Sequence, residues 1–403
     1  MKFVAVPLAI SALLLSSAVL SAQDMPMPNK DSHNVNVILP APLPASDANI
    51  ARLKLPAGFK ITKMAEGLQK PRVIVVSDAG NLYVSSRDAG TITMIDASGK
   101  QTKVLELEHV HGMVIHDNVM YYVSIKQVYS APINPDGTLG TSKIIMSDLP
   151  DAGQHQDRTL AVGPDGKLYE SVGSTCNTCA EGNPLQATMQ RSNLDGSGRE
   201  TFATGLRNTI GFNFKPGTSD LYGWDDGVDW MGDKEQREEV NLIAQGKEYG
   251  WPYILGSGLK NLYLTPPKGV TLDQWAAKTT LPVLTWAAHS SGMQLVFLNG
   301  TGLPAGYDGD ALATMHGSWG ANPPSGYEVV RIHFEGGKAK DIQPFLEGFL
   351  MPVKGGSGWG RFARPFGLAQ MRDGSIIVGD EQNGVLYRVT YSGSSTRTTR
   401  AGL

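Results

Sequence analysis

Cysteine is almost missing from this chain: its 403 residues hold two, Cys176 and Cys179, within the tetrapeptide CNTC. So low a count excludes a disulfide-dense scaffold. Covalent haem attachment needs a His directly after the second Cys, and that place is taken by Ala180. A structural zinc needs four ligands, and no second Cys pair exists. A small-loop disulfide is the simplest reading in an oxidising compartment, with a catalytic redox pair as the alternative. Excess charge of either sign is also lacking, since the formal net charge is only −3. Nothing here would track a phosphate backbone, so no nucleic-acid partner is expected. Charged residues make up 18% and hydrophobic ones 41%, a balance too apolar for disorder. Helical periodicity is scarce, LDQWAAKT at 272–279 being one of the few candidates.

One long apolar run stands out. After Lys2, residues 3–20 (FVAVPLAISALLLSSAVL) carry no charge, and the small residues Ser21 and Ala22 follow. This is the pattern of a cleaved signal peptide, with a single-span anchor as the competing reading. The expected organisation is a signal peptide over 1–22, a Pro-rich tail or linker over 23–53, one domain over 54–393 and a C-terminal tail over 394–403. The mature protein is expected to be periplasmic or secreted, with no membrane span after signal cleavage.

Glycine is plentiful at 47 residues, against about 7% of an ordinary chain, and suits many tight turns. The turns recur in one phrase, a Gly/Asp/Asn turn leading into a short apolar strand: SDAGNLYVSS at 77–86, HDNVMYYVS at 116–124, GPDGKLYESVG at 163–173, KPGTSDLYGWD at 215–225, YDGDALATMHGSW at 307–319 and MRDGSIIVGDEQNGVLYRV at 371–389. The apolar residues alternate or cluster over four to six positions, which is strand period. Six copies predict an all-β fold, a six-bladed β-propeller of four-stranded antiparallel blades. Two stacked β-sandwiches fit the composition too, but no linker-like stretch divides the chain after residue 55.

Propellers place ligands over the central channel, so the side chains that could carry chemistry are those in the loops beside these phrases. His155, in GQHQDRTLAV, could accept a proton from a substrate hydroxyl; a solvated loop His is the plainer reading. Arg207 and Asn208, in TGLRNTIGF, could grip a carboxylate and a carbonyl, or Arg207 could be a surface charge. The loop 223–253 gathers Asp225, Asp226, Asp229, Asp233, Glu235, Glu238 and Glu239, a set suited to a hard cation such as Ca²⁺ or to plain solvation. His316 and Trp319 flank a small-residue turn where a flat ligand could stack, and Arg361 and Arg364 lie in a Gly-rich loop.

Taken in order, HQDRTLAVGPDGKLY, GLRNTIGFNF with EEVNLIAQGKEYGWP, and HGSW with PSGYEVVRI resemble the pyrroloquinoline quinone (PQQ)-dependent glucose/sorbosone dehydrogenase family, from residue 53 to residue 391. The CNTC segment and the MHGSW turn are most similar to its sorbosone dehydrogenase branch. The resemblance implies a soluble quinoprotein that oxidises an aldose or sorbosone-like sugar with PQQ and Ca²⁺. It implies His155 as general base for the sugar C1 hydroxyl. It implies cofactor contacts from Arg207, Asn208 and Arg364, with His316 and Arg361 as looser matches. Calcium would sit on backbone carbonyls at Gly227 and Val228. Departures are Gln154 where the soluble glucose enzyme has an acid, His316 near a lysine position, and His109 and His111 near a glutamine position. With no haem motif, electrons would leave to a separate cytochrome or quinone. The competing classes are a calcium-dependent propeller hydrolase of lactonase type and a non-catalytic carbohydrate-binding propeller.

Overall fold

Every copy of the repeated phrase contains the second strand of a four-stranded antiparallel sheet in the computed structural model, which describes residues 38–151 and 153–393. Those second strands are Leu82–Ser86, Val119–Val123, Leu168–Val172, Leu221–Asp225, Ala311–Met315 and Ile376–Asp380. Five of the six are buried along their whole length, and Val119–Val123 nearly so. A strand covered on both faces needs apolar or small residues throughout, which is why the phrase reads as a cluster rather than a strict alternation. The Gly or Asn of each preceding turn relieves the positive φ that the reversal demands, as at Gly166 with φ 70°.

The first strands of the same sheets are Ile74–Val76, Met113–His116, Thr159–Val162, Thr209–Phe214, Gly292–Phe297 and Pro365–Gln370. They touch one another in that order, and the last touches the first. Residues from all six line one cavity of about 100 Å³, among them Val75, Met113, Ala161, Ile210, Gln294 and Phe366. Gln294 ties three of these strands together. Its Oε1 accepts from the N–H of Ile74 and of Leu368 (both 2.9 Å), and its Nε2 donates to the Ile74 carbonyl at 2.7 Å. The sheets are therefore arranged as in a propeller, around a packed channel. The chain ends are joined in one sheet, because Phe59–Ala65 pairs with Val385–Tyr391 in the register Ile61↔Val389.

Two features stand outside this pattern. Leu272–Lys278 is helical as expected, capped reciprocally by Thr271 and Gln274, and lies between the third and fourth strands of its sheet, Glu238–Ile243 and Leu284–Trp286. The expected 23–53 tail is docked over its later part. Ala41–Pro42 pairs in parallel with Trp359–Arg361, and Leu43, Ala45, Ile50 and Leu53 pack on the core beneath. Its prolines suggested a linker; its spaced apolar residues bind it to the domain. Residues 1–22, the rest of the tail to 37 and the tail from 394 lie outside the described residues. No helix among the described residues is long and apolar enough to cross a membrane.

The first strands approach closely because glycine stands where a side chain would collide. A Cβ on Gly211 would fall 1.7 Å from the Met293 carbonyl oxygen, and one on Gly367 would fall 2.4 Å from that of Arg72. Backbone cannot yield as a flexible side chain does, so Gly211→Ala should cost about 3 kcal/mol or more. Thermal unfolding would measure it, and an unchanged midpoint would refute close sheet packing at this place.

Candidate functional site

Antiparallel pairing brings the start of each first strand and the end of each second strand to the same rim of the channel. The residues at those places are not random. Arg72, His111, Arg158, Arg207, Asn208 and Arg364 come just before first strands; Ser174, Asp226, His316 and Glu381 come just after second strands. Beneath them Phe366, fully buried, closes the channel: the Arg72 guanidinium lies 3.9 Å over its ring, and His111 and His316 meet it edge-on at 5.5 and 5.6 Å.

His155 is held by Ser174. Its Nδ1 lies 2.7 Å from the Ser174 hydroxyl and 3.1 Å from the Ser174 carbonyl. The hydroxyl proton goes to the Cys176 carbonyl at 2.9 Å, so toward the imidazole both Ser174 oxygens act as acceptors. Nδ1 must then carry the proton, which leaves Nε2 as a bare acceptor. Burial, then the charge of Arg207, holds this imidazole well below its ordinary range, so it is neutral at pH 7. No carboxylate bonds the ring, consistent with Gln154 in place of an acid.

Arg207 and Asn208 are fixed from behind by Asp225, whose carboxylate accepts both backbone N–H groups (2.9 and 2.8 Å) and the Thr209 hydroxyl at 2.7 Å. The Arg207 guanidinium donates to the Asn177 carbonyl (3.1 Å), the Asn177 Oδ1 (2.6 Å) and the Asp226 carbonyl (2.9 Å), and it lies 5.4 Å over the Trp251 ring. Three of its five N–H groups are thereby used. Asn208 donates to Asp226 Oδ2 at 3.3 Å, while Asn208 Oδ1 and Asp226 Oδ1 are buried with no hydrogen-bond partner among the described residues. A Cβ on Gly173 would meet both His155 and Asn208, so this glycine keeps the base and the amide adjacent.

The acidic loop folds inward. The Gly227 N–H donates to Glu238 at 3.2 Å and the Val228 N–H to Gln236 at 2.9 Å, and their carbonyls accept no hydrogen bond among the described residues. Burial, then Glu238, pushes the Asp226 carboxyl well up; burial above all pushes Glu238 to about 7, and burial with Asp225 pushes Glu239 to about 8. Such a set of buried, mutually repelling acids beside free carbonyl oxygens fits a hard cation. No group of three His, Cys, Asp or Glu side chains among the described residues forms a cage by itself, so backbone oxygens would have to complete one.

Across the rim a second network runs through Arg72, which pairs with both Asp157 and Glu381. Arg87 reaches Asp157 at 3.2 Å. Burial alone would raise these two acids, but His111 and Arg72 around Asp157, and His316 and Arg72 around Glu381, hold both far below the carboxylate range. Glu381 accepts from His316 Nε2, while His316 Nδ1 accepts from Arg364 at 2.8 Å. Burial, then Arg364, brings His316 down to about 4, so it too is neutral. Arg364 has no carboxylate within ion-pair distance among the described residues, which leaves its charge for a ligand. Arg361 turns elsewhere, donating to the Pro40 carbonyl of the docked N-terminal segment.

The structure thus brings His155, Arg207, Asn208, Gly227 and Val228 into one cluster. Asp157–Arg72–Glu381 joins it to His316 and Arg364, and Arg361 stands apart. His111 is buried at the rim, whereas His109 is half-buried and faces Glu108. Arg72, Ser174, Asn177 and Glu381 escaped sequence reasoning. Their position relative to the repeated phrases could have found three of them: Arg72 precedes a first strand, and Ser174 and Glu381 follow second strands.

Comparison with known proteins agrees with the fold. The TrAA12-like family matches residues 53–248 and 251–392. The PQQ domain of pyranose dehydrogenase from Coprinopsis cinerea, in its holo form, superposes with a TM-score of 0.71 at 19% identity, covering 87% of this chain and 98% of that one. The calcium structure of the Carbohydrate-Active Enzymes Family AA12 protein from Trichoderma reesei gives 0.69 at 20% identity over 89% and 99%. Quinoprotein glucose dehydrogenase B of Acinetobacter calcoaceticus is 22% identical over 279 residues, 54% of this chain and 57% of its own length.

The acids set a stability trend for the metal-free protein. Between about pH 7.5 and 8.5 an unfolded chain has ionised its carboxylates and neutralised nearly all its histidine side chains, whereas folded Glu239, and in part Glu238, still release protons there. The folded state then holds more protons, so stability must fall as pH rises through this window. The depressed groups, Asp157, Glu381 and the neutral histidines, act only below it. Thermal unfolding in chelator should show a midpoint that declines from about pH 7.5 to 8.5, and Glu239→Gln should flatten the decline. A midpoint that climbs across the window would contradict the buried acid cluster.

Proposed function

This chain belongs to the TrAA12-like family, and we propose that it is an exported PQQ- and calcium-dependent dehydrogenase that oxidises an aldose or sorbosone-like sugar at C1. The six four-stranded sheets are, on this reading, six blades closed into a ring, supported by the cyclic order in which the first strands touch. Export is supported by the Lys2-led apolar run and by the closed Cys176–Cys179 disulfide.

The observation that carries the reading is the juxtaposition of a bare His155 Nε2 with Arg207 and Asn208, facing Arg364 across the rim. When bound, PQQ supplies the hydride acceptor and Ca²⁺ the Lewis acid that polarises it. His155 takes the proton of the C1 hydroxyl on Nε2, with its ring fixed by Ser174. The two unused N–H groups of Arg207, the charge of Arg364 and the Asn208 amide would meet an acidic, carbonyl-bearing ligand. His316 serves by holding Arg364, and Arg361 adds positive charge from behind it. The carbonyls of Gly227 and Val228 would hold the cation, joined by Asp226 Oδ1, which has no hydrogen-bond partner among the described residues. Electrons then pass to a separate cytochrome or quinone.

Dye reduction by purified protein, with PQQ and Ca²⁺ added singly and together against a panel of aldoses, tests the reading. Activity that needs both additions supports it. Metal-dependent lactone cleavage without PQQ would point to a hydrolase, and neither activity to a binding protein. His155→Ala should lower kcat by about 10²- to 10⁴-fold with PQQ affinity nearly unchanged, whereas Arg207→Ala should weaken PQQ binding itself.

The depressed imidazole also sets a pH profile. Since His155 must be deprotonated to act, kcat/KM should fall only on the acid side, through a pKa below the ordinary 6.5, and stay level at 7. A limb at or above 6.5 would show that the working base is another group.

A further inference from the structure

The four-residue loop closed by Cys176–Cys179 reaches Arg207, the 226–229 turn and the serine that holds the base. Its Asn177 carbonyl and Oδ1 hold the Arg207 guanidinium at 3.1 and 2.6 Å, and the same Oδ1 accepts the Asp229 N–H at 3.1 Å. Its Cys176 carbonyl fixes the Ser174 hydroxyl that orients His155. The loop is itself braced from outside. Thr178 accepts from the fully buried Asn261 at 3.0 Å. Thr175, at its base, is held by Glu181, which also takes the Trp251 indole N–H at 3.1 Å beneath Arg207. Asn177 donates nothing to the chemistry. Its oxygens are the anchor from which the arginine and the cation turn are both hung.

We propose that this disulfide-closed loop is the positioning element of the site: Asn177 sets Arg207 and the 226–229 turn from one oxygen, and Cys176 sets the base through Ser174. The proposal rests on the quinoprotein reading for its consequence in PQQ binding, though the anchoring itself does not. A four-residue ring has few conformations while closed and many more once opened. A dithiol reductant delivers two electrons and two protons to the bond, leaves two protein thiols and closes its own disulfide. Positioning is then lost at three points together.

Hydrogen exchange at the Asp229 amide, read by mass spectrometry on protein free of metal and quinone, tests the anchor directly. Exchange should quicken on the order of tenfold or more in Asn177→Ala, in Cys176→Ser/Cys179→Ser, and in the native chain after dithiol treatment. Asn177→Asp should restore protection, because a carboxylate oxygen offers the same acceptor to both donors. PQQ affinity by isothermal titration should fall about tenfold in Asn177→Ala. Should the double variant fail to fold by circular dichroism, Asn177→Ala and the reduced native chain carry the test. Unchanged Asp229 exchange in those two overturns the proposal. A native chain that binds no PQQ would overturn the quinoprotein reading instead, and the exchange data would still judge the anchor.

Discussion

Antiparallel pairing of the first two strands in each sheet is the constraint on which the site depends. A residue that enters the first strand and a residue that leaves the second must meet at one rim, whatever their separation in sequence. His316 and Glu381 are 65 residues apart yet share a hydrogen bond for this reason, and Arg72 reaches Glu381 across 309 residues. Long-range chemistry is thereby produced from short-range pairing. The glycines that let first strands crowd together, Gly211 and Gly367 among them, keep that rim narrow enough for such side chains to touch.

The rim separates its charges into two regimes. Around Asp157 and Glu381 every buried acid has a guanidinium beside it, so both stay ionised and the network is locked. Around Asp226, Glu238 and Glu239 the acids chiefly face one another, with Arg207 the charge of opposite sign within reach. Isolated buried carboxylates are costly, and these relieve the cost by binding protons in the metal-free state. A cation would relieve it otherwise, by letting them ionise. The first regime is scaffold, the second is receptive, and Arg207 stands between them.

Much of this was legible in the residues. The repeated phrase marked the second strand of each sheet because a doubly covered strand must be apolar or small over its length. The capped helix at 272–278 was legible for a like reason, a local periodicity with a local cap. His155, Arg207 and Arg364 were found by lying in loops beside those strands. What escaped was whatever depends on partners distant in sequence. Arg361 and Arg364 look alike in a Gly-rich loop, yet only Arg364 reaches the rim, because Arg361 is drawn to the docked N-terminal segment. Asn177 reads as a turn residue, and nothing in CNTC tells that its oxygen will meet an arginine 30 residues on. The prolines of the tail masked the apolar residues that dock it.

His155 and His316 show how far surroundings decide chemistry. Both are neutral, and for the same reasons: burial first, a neighbouring arginine second. Their protons, however, sit on opposite nitrogens. Ser174 offers His155 only acceptors, so Nδ1 is protonated and Nε2 is left bare. His316 gives its Nε2 proton to Glu381 and takes one from Arg364 at Nδ1, so neither nitrogen is free. An imidazole with both nitrogens engaged can hold an arginine in place but cannot accept a substrate proton. Of the two, His155 alone has the vacancy a base requires, and that follows from hydrogen-bond partners, without appeal to its sequence motif; His111 Nε2 also has no hydrogen-bond partner among the described residues, but it lies 3.7 Å from the Asp157 carboxylate.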